Sequence, residues 1–241
     1  MIQLIDLHKS FSSVEILKGV NLEIPSGQVT VILGPSGEGK SVLLKHILGL
    51  LQPDQGRVIV EGTEIGQLTE KELNQFRKRF GMLFQSAALF DSLSVEENVA
   101  FPLREHTTFS EEVIREKVRE KLSWVGLEGA LQKMPSDLSG GMRKRVGLAR
   151  AIALEPRIIL YDEPTTGLDP LTTATINQLI TDMQKKLKVT SIVISHDIES
   201  TFETADFVAM LHQGVIAEKG SPESFRHTKN PFIQKFMGLA V

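Results

Sequence analysis

Eight residues constrain this chain more than any others: Gly34-Pro35-Ser36-Gly37-Glu38-Gly39-Lys40-Ser41. They fit G-x-x-x-x-G-K-[ST], a glycine loop whose backbone N–H groups can converge on phosphate oxygens. Residues 28–33 before it are mostly β-branched and apolar and read as a buried strand; residues 42–48 after it read as a helix. Strand, loop, helix is the context the motif needs, because the helix N-terminus adds its partial positive charge at the same spot. Lys40 can reach the β- and γ-phosphates of a nucleotide, and the Ser41 hydroxyl can take one site on Mg2+. The competing explanation is a chance glycine turn, and the flanks on both sides weigh against it.

The chain has 241 residues, 41% of them hydrophobic, enough to bury a full core as one large domain or as a core with a subdomain. A net charge of −3 argues against a general nucleic-acid binder, so no nucleic-acid partner is expected. The absence of cysteine excludes disulfides and thiol chemistry. No apolar run approaches the ~20 residues that span a bilayer. Residues 1–6 lack the basic flank and long apolar run of a signal peptide. The expectation is a cytoplasmic chain that meets a membrane only through a partner.

Residues 2–7 and 20–24 alternate apolar and polar and read as half-buried strands. Another strand is expected at 57–60 after the turn Pro53-Asp54-Gln55-Gly56, and a short one at 80–84, ending at Gln85. Between them, Thr69 and Glu72 form a capping box for a helix, with Leu68 placed to staple onto Leu73. Residues 86 to about 155 change character: helical periods dominate and no strand is evident. Ser110 is placed to cap a helix whose Ile114, Val118, Leu122 and Val125 share a face, and a second helix is expected from Gly140 to about Leu154. This stretch reads as a helical subdomain set into an α/β core made of about 1–85 and 156–241. Strands return at 157–161 and 190–194, and a hairpin at 207–217 turns through His212-Gln213-Gly214. Ser221-Pro222 starts a short last helix, and the tail 230–237 carries apolar residues that pack on this chain or on a partner. Strands alternating with helices imply a mainly parallel sheet.

Two further motifs carry chemistry. Residues 158–161 run apolar into Asp162-Glu163, which puts two carboxylates at the C-terminal edge of a sheet, where α/β ligands bind. Asp162 would hold Mg2+, directly or through water, and Glu163 would act as general base or orient the attacking water. Alone, the pair would read as a solvated acidic turn; a phosphate loop in the same chain changes that. In Leu138-Ser139-Gly140-Gly141, Ser139 can cap a helix while Gly140 and Gly141 leave its first N–H groups open, which makes a second anion site or an ordinary capped helix with a basic face.

The order of phosphate loop, Gln85, Leu138-Ser139-Gly140-Gly141, Asp162-Glu163, Gly167-Leu168-Asp169 and His196 resembles the ATP-binding-cassette ATPases over essentially the whole chain. That resemblance implies a phosphate-loop NTPase (RecA-like) core with an antiparallel β subdomain and an inserted helical subdomain. It implies ATP and Mg2+ as cofactors and a head-to-tail homodimer. Each ATP then lies between one subunit's phosphate loop and the other's Ser139-Gly140-Gly141. It further implies that Gln85 contacts Mg2+ and the attacking water, that Asp169 communicates across the dimer, and that His196 is a switch near the γ-phosphate. On its own, a histidine at a strand end such as His196 is more often a satisfied structural group than a phosphate contact. Phe11 stands where the family places an aromatic ring on adenine, usually Tyr; a core Phe is the alternative.

Met142-Arg143-Lys144-Arg145, after the family's Leu138-Ser139-Gly140-Gly141 signature, and the stretch 85–106 are similar to the Mla/Mce branch, the ATPases of bacterial phospholipid transporters. That branch implies a multispanning permease, an MCE-domain lipid-binding protein and in some cases a STAS-domain protein as partners, on the cytoplasmic face of the inner membrane. Glu38, and Ser rather than Thr at 41, do not help assign the branch. The alternatives are the same enzyme with another cargo (amino acid, metal, released lipoprotein) and a non-transport cassette clamp.

Overall fold

A computed structural model describes residues 1–239, which fall into two compact units, 1–77 with 190–239 and 78–189. The first holds an antiparallel sheet ordered β2-β1-β4-β5, from β1 (Ile2–Phe11), β2 (Val14–Ile24), β4 (Gln55–Val60) and β5 (Thr63–Glu64). Both β1 and β2 are longer than the alternation in the sequence suggests. Register shifts between Leu4 and Leu7, and Asp6 at φ 47, break the inside–outside period partway along β1.

The same unit contains β3 (Val29–Leu33), flanked in parallel by β8 (Thr190–Ser195) and β9 (Phe207–His212), with β10 (Val215–Gly220) antiparallel on β9. Every residue of β3 and β8 is buried, as expected for parallel strands covered on both faces. The β9–β10 turn has Gln213 at φ 51 and Gly214 at φ 82, the paired left-handed residues of a tight hairpin. Helix α1 (Lys40–Ile47) follows the phosphate loop and already starts at Lys40. In α2 (Glu70–Arg77) the Thr69–Glu72 capping box forms: the Thr69 N–H donates to Glu72 at 2.8 Å.

Three short helices complete this unit: α7 (Ile198–Thr204), α8 (Pro222–Arg226) and α9 (Pro231–Phe236). The sequence indicates no helix beyond α8. Instead Asn230 caps one more turn, accepting from the N–H groups of Phe232 and Ile233, and Ile233 is fully buried.

The second unit pairs β6 (Phe80–Leu83) in parallel with β7 (Ile158–Asp162). Around them lie α3 (Val95–His106), α4 (Glu111–Trp124), α5 (Gly140–Ala151) and α6 (Pro170–Leu187). The α3–α5 segment is helical as read, and Ile114, Val118, Leu122 and Val125 are all buried. Ser110 stands at the N-cap of α4 without accepting a capping bond through its side chain. Asn98 ties the loop before α3 to the helix, donating to the carbonyls of Phe90, Leu93 and Ser94 and accepting from Phe90 N–H.

Candidate functional site

In the first unit the glycine loop bridges β3 and α1. Gly39 sits at φ 94, and a Cβ there would lie 2.6 Å from the Ile16 methyl, so both backbone shape and space require glycine. Lys40 is buried, 4% exposed, and its ammonium donates to the carbonyls of Gly34 and Pro35 at 2.8 and 2.7 Å. Ser41 is exposed at the second helical position. At the end of β1, Phe11 is 44% exposed, with the Lys9 ammonium 5.7 Å from its ring centre, which removes the core-phenylalanine alternative. His196 is exposed directly after β8, next to Asp197, which caps α7.

In the second unit the acid pair closes β7. Asp162 lines an open groove of about 500 Å3 together with Phe84, Gln85, Ser86 and Thr166. Glu163 holds a left-handed conformation, φ 45, uncommon for a residue with a side chain and a frequent mark of a functional turn. Its carboxylate accepts from the Gln85 amide at 3.4 Å and from the Thr166 hydroxyl at 2.9 Å. Gln85 and Glu163, 78 positions apart, are thus brought together. Lys144 of α5 donates to the Glu163 carbonyl at 3.2 Å. Burial lowers the proton affinity of Lys144, and the charges of Glu163 and Asp162 oppose that shift.

The signature lies in the same unit. Ser139 caps α5, its hydroxyl accepting from Met142 N–H at 3.2 Å. Asp169 caps α6, accepting from the N–H and hydroxyl of Thr172, which hold its carboxyl below the usual carboxylate range. A Cβ on Gly141 would stand 2.3 Å from the Thr172 methyl, so the starts of α5 and α6 touch, and Ser139-Gly140-Gly141 and Asp169 are neighbours. Thr166 and Lys144 were missed as site residues in the sequence. A hydroxyl three residues after the acid was the one available signal; nothing local announced that Lys144 would reach the Glu163 backbone.

A strand–glycine loop–helix with a buried lysine, and a second strand ending in a paired acid, define a phosphate-loop nucleotide-binding protein. The family model described as ABC transporter matches residues 17–166, more than half the chain. The chain belongs to the ABC transporter family and is one of its ATP-binding cassettes.

Among curated relatives it is 46% identical to the intermembrane phospholipid transport system ATP-binding protein MlaF of Haemophilus influenzae, over 92% of this chain and 84% of that one. With MlaF of Escherichia coli K12 the identity is 42%, over 93% and 84%. It is 47% identical to the probable ribonucleotide transport ATP-binding protein mkl of Mycobacterium tuberculosis H37Rv, over 96% of this chain. The chain spans only 64% of that relative's length. Among solved structures it is similar to an ATP-binding cassette seen as a dimer in a post-hydrolysis state with ADP and Pi: TM-score 0.85, 33% identity, covering 92% of this chain and 99% of that one. CbiO1 of Clostridium perfringens, part of the cbiONQ transporter complex, superposes with TM-score 0.86 at 32% identity, covering 98% of both chains.

Proposed function

We propose that this chain is the ATP-hydrolysing subunit of a transporter that moves phospholipid across or between bacterial envelope membranes. It works as a homodimer on the cytoplasmic face of the inner membrane, beneath a multispanning permease, with an MCE-domain lipid-binding protein and a STAS-domain protein as further partners. The observation that carries the enzymatic part is the carboxylate of Glu163, held at a strand end by Gln85 and Thr166. Support for the cargo is the likeness to the two MlaF proteins. No helix among the described residues is long and apolar enough to cross a membrane, so the lipid path belongs to partners.

In this reading Lys40 gives up its loop carbonyls for the β- and γ-phosphates, and the N–H groups of residues 36–41 cradle them. The Ser41 hydroxyl, the Asp162 carboxylate and the Gln85 amide oxygen would hold Mg2+. All three are hard oxygen donors, the set that suits this ion together with phosphate oxygens and water. When bound, the ion neutralises charge developing on the phosphates. Glu163 accepts the proton of the attacking water while Gln85 orients it. Phe11 stacks on adenine. Ser139 and the open N–H groups of Gly140 and Gly141 serve the γ-phosphate of the partner's nucleotide, Asp169 reports across the dimer, and His196 senses the γ-phosphate.

The test reconstitutes the assembled complex in liposomes with labelled phospholipid. With wild type, phospholipid should move between the membrane and the lipid-binding partner only with ATP. Lys40→Ala should weaken nucleotide binding and abolish turnover. Glu163→Gln should keep binding while hydrolysis falls by at least ~10²-fold. Movement of a ribonucleotide, amino acid or metal with no lipid response to ATP would overturn the cargo. Wild-type turnover in Glu163→Gln would overturn the role of that carboxylate.

A further inference from the structure

The phosphate loop contains an acid that the reaction does not use. Glu38 lies among residues meant to gather phosphate oxygens, where a free carboxylate would repel them. It is not free. Its carboxylate bonds His212 Nδ1 at 3.0 Å and accepts the N–H of Gln213 in the β9–β10 turn. Both side chains are largely covered, 17% and 23% exposed. The turn itself is pinned from two sides. Lys18 N–H donates to the Gly214 carbonyl at 2.8 Å, and the Leu211 carbonyl packs so closely on Gly34 that a Cβ there would lie 2.4 Å from it.

The far face of His212 is covered too. Phe232 of α9 stacks on the imidazole with ring centroids 3.5 Å apart and planes 7° from parallel. Helix α9 is anchored independently by the Asn230 cap and by buried Ile233. A continuous line of contacts therefore runs from the C-terminal helix through His212 to the phosphate loop.

We infer that Glu38 is a positioning residue for ATP: His212, Gln213 and the docked Phe232 form a latch that keeps its carboxylate off the phosphates. Seating of α9 thereby sets nucleotide affinity. The inference rests on the reading of residues 34–41 as the phosphate site. With the latch intact the carboxylate is committed to the turn. With His212 removed, or its ring unsupported, the same side chain can swing toward the cradle and oppose a polyanion.

The test measures KM and kcat for ATP on the assembled complex. His212→Ala should raise KM about tenfold and leave kcat within about twofold. Adding Glu38→Gln in that background should bring KM back to within about threefold of wild type, because the freed side chain no longer carries charge. A purely structural role would leave the double variant as impaired as His212→Ala, or worse, and that outcome overturns the latch. Phe232→Ala should shift KM in the same direction and Phe232→Tyr, which keeps the stack, should restore it. Phe232→Ala with and without Glu38→Gln supplies the same contrast if His212→Ala does not fold. An unchanged KM in both His212→Ala and Phe232→Ala, where Lys40→Ala still weakens ATP binding, overturns the latch alone. Undiminished ATP binding in Lys40→Ala overturns the site and the latch together.

Discussion

The contact between the starts of α5 and α6 gives a sharp quantitative expectation. Gly141→Ala adds one methyl to a helical position, where alanine is favoured over glycine by about 0.5–1 kcal/mol. Here that gain meets a wall: the new Cβ would lie 2.3 Å from the Thr172 methyl and 3.6 Å from its Cβ. Thr172 is β-branched, so turning the methyl away also moves its hydroxyl, which donates to the Asp169 cap. Either the helices separate, an overpacking cost of about 1–3 kcal/mol, or the cap bond is lost, at about 1 kcal/mol for a partly exposed site. Subtracting the propensity gain leaves a net destabilisation of up to about 2 kcal/mol where the helices separate and about 0–0.5 kcal/mol where the cap bond is given up.

The source of the cost can be isolated. Thr172→Ser deletes the clashing methyl and retains the hydroxyl that caps with Asp169. Alone it should cost less than about 0.5 kcal/mol; combined with Gly141→Ala it should recover about 1 kcal/mol. Urea unfolding of the four proteins completes the cycle. Gly141→Ala at or above wild-type stability, or a double variant no better than Gly141→Ala, would refute the reasoning. ATPase turnover should follow the same order, because the strained contact joins Ser139-Gly140-Gly141 to Asp169.

Two further expectations follow from other parts of the chain. Ser139→Arg should leave nucleotide binding by the subunit nearly intact but block turnover. In a mixed dimer of Ser139→Arg and Lys40→Ala chains one composite site carries both lesions and the other neither, so about half the wild-type sites stay whole; an ATP-dependent crosslink as strong in pure Ser139→Arg as in wild type would refute the shared site. Buried His46 has its proton affinity lowered, chiefly by burial and against the bond it makes to the Val42 carbonyl. The unfolded chain therefore binds a proton that the folded one refuses, and stability should fall as pH drops below about 6.5, with the non-titrating His46→Gln losing that slope in urea unfolding at about pH 5.5 and pH 7.5; an unchanged slope would show the titration lies elsewhere.

What was legible in the sequence is what depends on near neighbours. The phosphate loop needs only its own glycines and flanking strand and helix; Ser139 and the Thr69–Glu72 box act within one helical turn. Hence these residues stand where the sequence placed them. Helix α9 escaped because six residues give too little period to see, although Asn230-Pro231 is an N-cap followed by a proline at the first helical position. The full length of β1 escaped because its bulge at Asp6 scrambles the alternation that reveals a strand.

The contacts that tune the site are a different matter, because their partners are far away in sequence. Lys144 reaches the Glu163 backbone across 19 positions, and Glu38 meets His212 across 174. Glu38 shows the consequence most plainly. By composition it is an acid in an anion-binding loop, a local contradiction that nothing nearby resolves. The resolution comes from a hairpin near the other end of the chain, whose left-handed Gln213 turns an N–H toward the carboxylate and whose histidine is backed by Phe232. A residue that breaks the local rule of its motif therefore marks where the fold has supplied a compensating contact. Here that contact ties the proposed nucleotide loop to the last helix of the described residues.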